Sequence, residues 1–330
     1  MYSKKDHIVQ MSQGTDNKLN VGVSACLMGD SVRFDSGHKK SSFIVSSLSE
    51  HFNFTKVCPE VGAGFGIPRP AMQLRKKRDS VELVISKKPD QVVTDQLMSF
   101  TSEKLEELSD LDGFIFKKGS PSCGVFRVPI VINEQGHKDR NESGLFAKAF
   151  MQRYPLIPVE EEGRLNDAAL CENFFERVYA YRRWKQIENT ENNVSGFIEF
   201  HSRHKLMLMA RGSSYYQELG RMVAGTTQAD LAERRKAYIH RFMQVMAMTS
   251  KPGRHVNALQ HILGYLKEAL TKDDKKELLS VFEAYRQRQL PLITAVTLLR
   301  HHLRIHPQEY ISKQYYLKPF PETLALRSVL

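Results

Sequence analysis

The chain has 330 residues, 41% hydrophobic and 26% charged, which leaves room for two domains and is ordinary for a soluble protein with packed cores. No apolar run approaches the ~18–20 residues that span a bilayer, and the polar stretch Met1–Asn20 lacks the h-region of a secretion signal, so the expected location is the cytoplasm. The net charge of +11 is lopsided: residues 1–170 hold 23 basic and 22 acidic side chains, residues 171–330 hold 25 and 15, which suggests a polyanion-binding module attached to a neutral domain, although many basic domains bind no nucleic acid.

In chain order, Lys18–Leu27 reads as a strand leading into Cys26, Lys40–Phe52 as a helix and Phe54–Val57 as a second strand. Ala71–Leu74 and Val81–Ile85 suggest a hairpin around the basic stretch Arg75–Arg78. Leu97, Phe100, Leu105 and Leu108 lie near helical spacing within Asp95–Leu108. Gly113–Phe116 and Val128–Ile132 read as strands, Gly144–Tyr154 as a helix and Pro155–Val159 as a short strand. This βαβ rhythm predicts an α/β layer with a largely parallel sheet. Asn166 is placed to cap a long helix over Asp167–Gln186, and Asn189–Ser195 reads as a linker. Beyond it six helical segments follow: Phe197–Gly212, Ser213–Ala224, Gln228–Met248, His255–Leu270, Lys272–Arg288 and Leu292–His302. They predict a helical bundle.

The chain has four cysteines, widely separated, a pattern that points away from disulfides in a reducing compartment. Cys26, Cys58 and Cys123 each follow an apolar run and precede a turn rich in Gly or Pro. In a parallel α/β sheet the carboxyl ends of the strands face one crevice, so three distant thiols can converge there. A closed zinc site wants four ligands and a conventional iron–sulfur site four cysteines; three leave a position open for substrate. The alternative, that all three are buried core cysteines at strand ends, fits the spacing equally well. Cys171, within Ala169-Leu170-Cys171-Glu172-Asn173-Phe174-Phe175, reads as core.

The runs Val23-Ser24-Ala25-Cys26-Leu27-Met28-Gly29, Arg33-Phe34-Asp35-Ser36-Gly37, Cys58-Pro59-Glu60-Val61 and Lys118-Gly119-Ser120-Pro121-Ser122-Cys123-Gly124 resemble the TudS-type thiouracil desulfidases over roughly residues 18–160. Phe200-His201-Ser202-Arg203-His204-Lys205-Leu206 resembles the YbgA-type helical domain. Together they resemble the two-domain desulfidases that convert 4-thiouridine in tRNA to uridine. The implied organisation is a flexible N-terminus over 1–17, a desulfidase domain with a Rossmann-like sheet over 18–165, a connecting helix and linker over 166–195, and an all-α, RNA-binding domain over 196–330.

The resemblance implies a [4Fe–4S] cluster on Cys26, Cys58 and Cys123 whose fourth iron takes the substrate's sulfur. A thiocarbonyl sulfur is soft and suits such a centre. Water adding at the carbon leaves its oxidation state unchanged, so the expected reaction is hydrolytic. Glu60 is implied as general base or acid, and Ser120 as a proton carrier or orienting group; without the resemblance they read as a solvated loop carboxylate and a turn residue. Asp35 and His38 are expected to contact the substrate ring or to shape a turn. For tRNA phosphates, helical spacing puts His201 and Lys205 on one face, with Arg203 half a turn away, His204 beside them and Arg211 one to two turns on; Arg75, Lys76, Lys77 and Arg78 offer a second strip. The competing readings are a desulfidase of free thiouracil or thionucleosides, with the helical domain serving oligomerisation, and a non-catalytic RNA-binding protein stabilised by a metal.

Overall fold

Val21 and Val23, both fully buried, alternate with small or polar neighbours and anchor strand β1 (Leu19–Ser24). The structure is a computed structural model that describes residues 18–324 except Asp79, Glu134 and Glu191; the stretch 1–17, expected to be flexible, lies outside the described residues. A single 3-10 turn (Ala25–Met28) follows β1, then β2 (Phe52–Val57), a one-turn helix α1 (Pro59–Gly62), β3 (Met72–Lys77), β4 (Ser80–Ile85), β5 (Lys88–Val92) and α2 (Thr94–Glu106). Next come β6 (Gly113–Phe116), β7 (Val128–Val131), β8 (Lys138–Glu142), α3 (Leu145–Arg153) and β9 (Val159–Glu161). The helical half is α4 (Ala168–Thr190), α5 (Val194–Arg211), α6 (Ser213–Val223), α7 (Leu231–Met246), α8 (Pro252–Leu266), α9 (Lys272–Arg286) and α10 (Leu292–Ile305).

The first sheet has the order β2-β1-β6-β9, and every pairing in it is parallel. From β1 the chain crosses to β2 on one side and later to β6 on the other. That reversal makes the carboxyl ends of β1 and β6 a topological switch point, where open α/β sheets form a ligand crevice. The core strands are buried, with Ile115 and Phe116 of β6 wholly so, and Phe114 and Phe116 stack at 3.9 Å. The second sheet, β5-β4-β3-β7-β8, is mixed and contains the expected hairpin, with β3 and β4 antiparallel in the register Met72↔Ile85 to Lys77↔Ser80. Its outer strands β5 and β8 are largely charged and exposed, so no alternation marked them in the sequence.

Three local expectations are corrected. The helix over Lys40–Phe52 is a six-residue π-helical stretch, Phe43–Leu48, followed directly by β2. The strand expected over Pro155–Val159 begins at Val159, where pairing with Phe114 becomes available. The cap of α4 is Asp167 rather than Asn166: its Oδ1 accepts from the amides of Ala169 and Leu170, each at 3.0 Å, while Asn166 ends a 3-10 turn.

The long helix α4 belongs to both halves. Phe174, Phe175 and Val178 pack with Val21, Val23, Leu27 and Phe52, whereas Ala180 and Trp184 enter the core of the helical bundle. The expected linker is correspondingly short, since α4 runs to Thr190 and Asn193 caps α5 through a 2.8 Å bond from the Gly196 amide. The chain then returns: Phe320 and Leu324, beyond α10, pack into the same cluster as Cys26, Leu27 and Phe52. Among the described residues no helix is long and apolar enough to cross a membrane. Replacing the buried Phe320 by Ala should therefore destabilise the sheet domain by about 3 kcal/mol, seen as a lower urea midpoint; an unchanged midpoint would show that the returning segment does not hold the two halves together.

Candidate functional site

Cys26 lies in the 3-10 turn directly after β1, Cys58 directly after β2 at the N-cap of α1, and Cys123 in the loop that follows β6. All three line one cavity of about 410 Å³, together with Glu60, Arg69, Lys117 and Ser120. The strand ends bring them there, and the local turns aim them. Gly119 has φ +70°, which lets the loop turn back over the sheet. Carbonyls of Pro121 and Ser122 accept the amides of Leu145 and Ala147, so the first turn of α3 braces the Cys123 loop. Gly144 permits that approach: a Cβ there would sit 2.5 Å from the Ser122 carbonyl carbon and oxygen.

Glu60 is tied into the cavity wall. Its Oε2 pairs with the Arg69 guanidinium, and its Oε1 accepts from Ser122 Oγ at 2.9 Å and from Ser120 Oγ at 3.4 Å. Arg69 is 7% exposed; its Nη1 donates to the Val32 carbonyl at 2.8 Å and to the Gly66 carbonyl at 3.3 Å. Ser120 Oγ also accepts the amides of Ser122 and Cys123 at 3.2 and 3.1 Å, which fixes the oxygen and turns its proton towards Glu60. Ser120 is thus both a turn residue and a neighbour of the carboxylate. Arg69 and Ser122 escaped the sequence reading. A signal for Arg69 exists: one cation inside the apolar run Gly66-Ile67-Pro68-Arg69-Pro70-Ala71-Met72 implies a buried partner.

Burial pushes the Cys26 thiol up to about 11, and the neighbouring Cys58 and Glu60 add to the rise. Burial likewise raises Cys58, partly offset by hydrogen bonds from the amides of Val61 and Glu60. It raises Cys123 well above the usual range, with Glu60, Cys58 and Cys26 each contributing. Thiols that oppose one another's ionisation share a small space. Among the described residues no three His, Cys, Asp or Glu side chains close in on a single metal ion. A multinuclear cluster asks less, because each thiolate binds a different metal atom. The donor set suits such a group: three soft donors on one wall, amides directed at Cys58, and Lys117 and Arg33 near Cys26 to offset negative charge.

Other expected residues lie elsewhere. Asp35 accepts from the Gly37 amide and His38 Nδ1 from the Lys40 amide, and neither lines the cavity. Phe34, immediately before Asp35, does line it and is 42% exposed. Cys171 is buried in the apolar cluster with Phe174 and Phe175, where burial raises its thiol to about 12. The phosphate grip expected on α5 is corrected for three residues. His201 is buried against Tyr238 and Tyr216, and burial pulls it down to about 4, so it is neutral at pH 7. His204 is fully buried, bonded to the Phe200 carbonyl and pulled well down by burial. Arg211 pairs with Glu176 in the interior. Helical spacing was right, but the face carrying the histidines points into the bundle. Arg203 and Lys205 remain partly exposed, lying over Tyr315 and over Tyr216 and Tyr310. In the β3 strip Lys76 and Arg78 are exposed, while Arg75 and Lys77 both pair with Glu82 at 3.0 Å.

Residues 21–162 match the family model described as 2-thiouracil desulfurase. Residues 205–321 match a second family, a protein of unknown function designated DUF1722. The solved structure of a [4Fe-4S]-dependent thiouracil desulfidase, TudS, is 27% identical, with 47% of this chain and 97% of that one covered and a TM-score of 0.38. The uncharacterized protein YbgA of Escherichia coli (strain K12) is 24% identical over 165 residues, 50% of this chain and 95% of its own length. The chain therefore joins a thiouracil-desulfurase-like region to a YbgA-like one.

In metal-free protein, the raised Cys26 thiol should react slowly with iodoacetamide. A pKa moved from 9.0 to about 11 lowers the thiolate fraction at neutral pH by about 100-fold. Greater intrinsic nucleophilicity offsets part of this, leaving a rate about tenfold below that of an ordinary cysteine. The rate should keep climbing up to about pH 11 when labelled peptides are quantified by mass spectrometry; a plateau near pH 9 would contradict the burial of Cys26 beside Cys58.

Proposed function

We propose that this chain is an iron–sulfur-dependent, hydrolytic desulfidase that converts 4-thiouridine in tRNA to uridine and hydrogen sulfide in the cytoplasm. The observation that carries the reading is the convergence of Cys26, Cys58 and Cys123 with Glu60 on one cavity at the carboxyl ends of β1, β2 and β6. A [4Fe–4S] cluster held by the three cysteines, with one iron free of protein ligands, would supply a soft Lewis acid for a thiocarbonyl sulfur.

The protein's own groups do the rest. Phe34, Val32 and Met72 give the cavity apolar walls against which a pyrimidine ring can lie. Glu60, held by Arg69 and Ser122, is oriented to take a proton from water attacking the carbon that carries sulfur. Glu60 can then return that proton to the departing sulfide, while the Ser120 hydroxyl, directed at the carboxylate, orients it. One water enters, oxygen replaces sulfur on carbon, and hydrogen sulfide leaves, with no electron acceptor or donor required.

The choice of tRNA rests on the helical half. A groove of about 870 Å³ beside α10 is lined by Arg203, Arg300, His301, Arg304, Lys313 and Lys318, with Glu322 the one acid among its lining residues. Such a surface suits a phosphate backbone, with salt-dependent affinity. It borders Pro319 and Phe320, and Phe320 packs into the cluster containing Cys26, so the groove adjoins the domain that carries the thiols. The matched family description favours a second reading, desulfidation of free 2-thiouracil.

The deciding experiment incubates anaerobically reconstituted protein with bulk bacterial tRNA and follows 4-thiouridine and uridine by mass spectrometry after digestion. Loss of 4-thiouridine with the wild type, but not with Cys58→Ala, is expected; its persistence despite a full complement of iron and sulfide would move the substrate to free thiopyrimidines. Glu60→Gln should retain iron and sulfide yet lower kcat about 10²–10⁴-fold. Undiminished kcat in that variant would remove Glu60 from the proton path.

A further inference from the structure

A second cavity, of about 850 Å³, adjoins the thiol-lined one, Lys118 and Gly119 lining both. Its lining combines an aromatic platform with cations. Phe126 is 41% exposed, and the Arg164 guanidinium lies 4.7 Å from its ring centroid. Lys118, Arg127 and Arg140 are exposed and line the same cavity, and none of them makes an ion pair among the described residues. The acids there are occupied otherwise. Glu161 is buried, and its Oε1 accepts the amides of Val125 and Phe126 at 2.9 and 3.1 Å, while Glu142 pairs with Lys148.

The Phe126 platform is built rather than accidental. The two bonds to Glu161 hold the backbone that presents Phe126, and Arg127 follows with φ +52°, which turns the chain sharply there. An exposed aromatic ring backed by a guanidinium, beside unpaired cations, is the chemistry that holds a nucleotide: a base stacks on the flat surface and a phosphate meets the charges.

We propose that this cavity is the subsite for the nucleotide next to the thiolated one, its base stacking on Phe126 and Arg164 and its phosphate held by Lys118, Arg127 and Arg140. The proposal rests on the reading of the thiol-lined cavity as the desulfidase site. Because Lys118 and Gly119 face both cavities, a strand with its thiolated base in one presents its neighbour to the other. The subsite makes the enzyme prefer a polynucleotide to a free base, since thiouracil and 4-thiouridine nucleoside reach only the first cavity.

The test uses the full chain, a fluorescent single-stranded RNA oligonucleotide containing 4-thiouridine, and 4-thiouridine nucleoside. Phe126→Ala should weaken oligonucleotide binding about tenfold in fluorescence anisotropy, and Phe126→Tyr should restore it. Arg127→Ala with Arg140→Ala should flatten the dependence of log K on log salt by about 0.7, one single-strand phosphate contact. In turnover, KM for the oligonucleotide should rise about tenfold, with kcat/KM for the nucleoside within twofold of wild type. Oligonucleotide binding that ignores all these changes overturns the subsite, as does an equal loss on both substrates. If binding responds as expected but 4-thiouridine is never converted, the subsite stands and the proposed substrate falls.

Discussion

Three thiols and a carboxylate crowded into one cavity form an arrangement that the protein resists ionising and must nonetheless hold open. Burial raises Cys26, Cys58 and Cys123 alike, Glu60 adds to all three, and neighbouring thiols add to Cys26 and Cys123. A cationic, thiophilic group relieves that strain, and Arg69, Lys117 and Arg33 are the cations already placed around it. Much of the N-terminal half serves this constraint. The parallel order β2-β1-β6-β9 delivers the loops, α3 braces the Cys123 loop, and Arg69 fastens Glu60.

The helical half is built into the sheet domain rather than tethered to it. α4 is a single rigid helix with one part in each core, and the segment after α10 returns Phe320 and Leu324 to the cluster behind Cys26. Two crossings fix the bundle relative to the cavity more firmly than a linker would. A basic groove on the bundle then stands in a constant relation to the thiols, which matters for any substrate long enough to touch both.

Much of this was legible. Each strand carrying a cysteine loop announced itself through β-branched and aromatic residues ending at a Gly or Pro turn, and the helices beyond residue 196 through their spacing and breaks. The π-helical stretch Phe43–Leu48 was misread in extent because apolar spacing does not reveal where β2 captures the backbone. β5 and β8 went unseen because their side chains face solvent on both sides and leave no period. On α5 the spacing marked the right helix and the wrong outward face: histidines and an arginine look polar in a sequence, yet Tyr238, the Phe200 carbonyl and Glu176 satisfy them inside.

By itself the sequence determined the order of elements, the α/β-then-α division and the three candidate cysteines, because all of these follow from local periodicity and from residue chemistry. Only the tertiary structure decided that the thiols share a cavity, that Arg69 and Ser122 hold Glu60, and which cations stay free. Those facts depend on contacts between residues far apart in the chain, such as Ser122 with Glu60 or Phe320 with the Cys26 cluster. Such contacts arise from the crossing of strands and the docking of helices, which a local pattern constrains but does not specify.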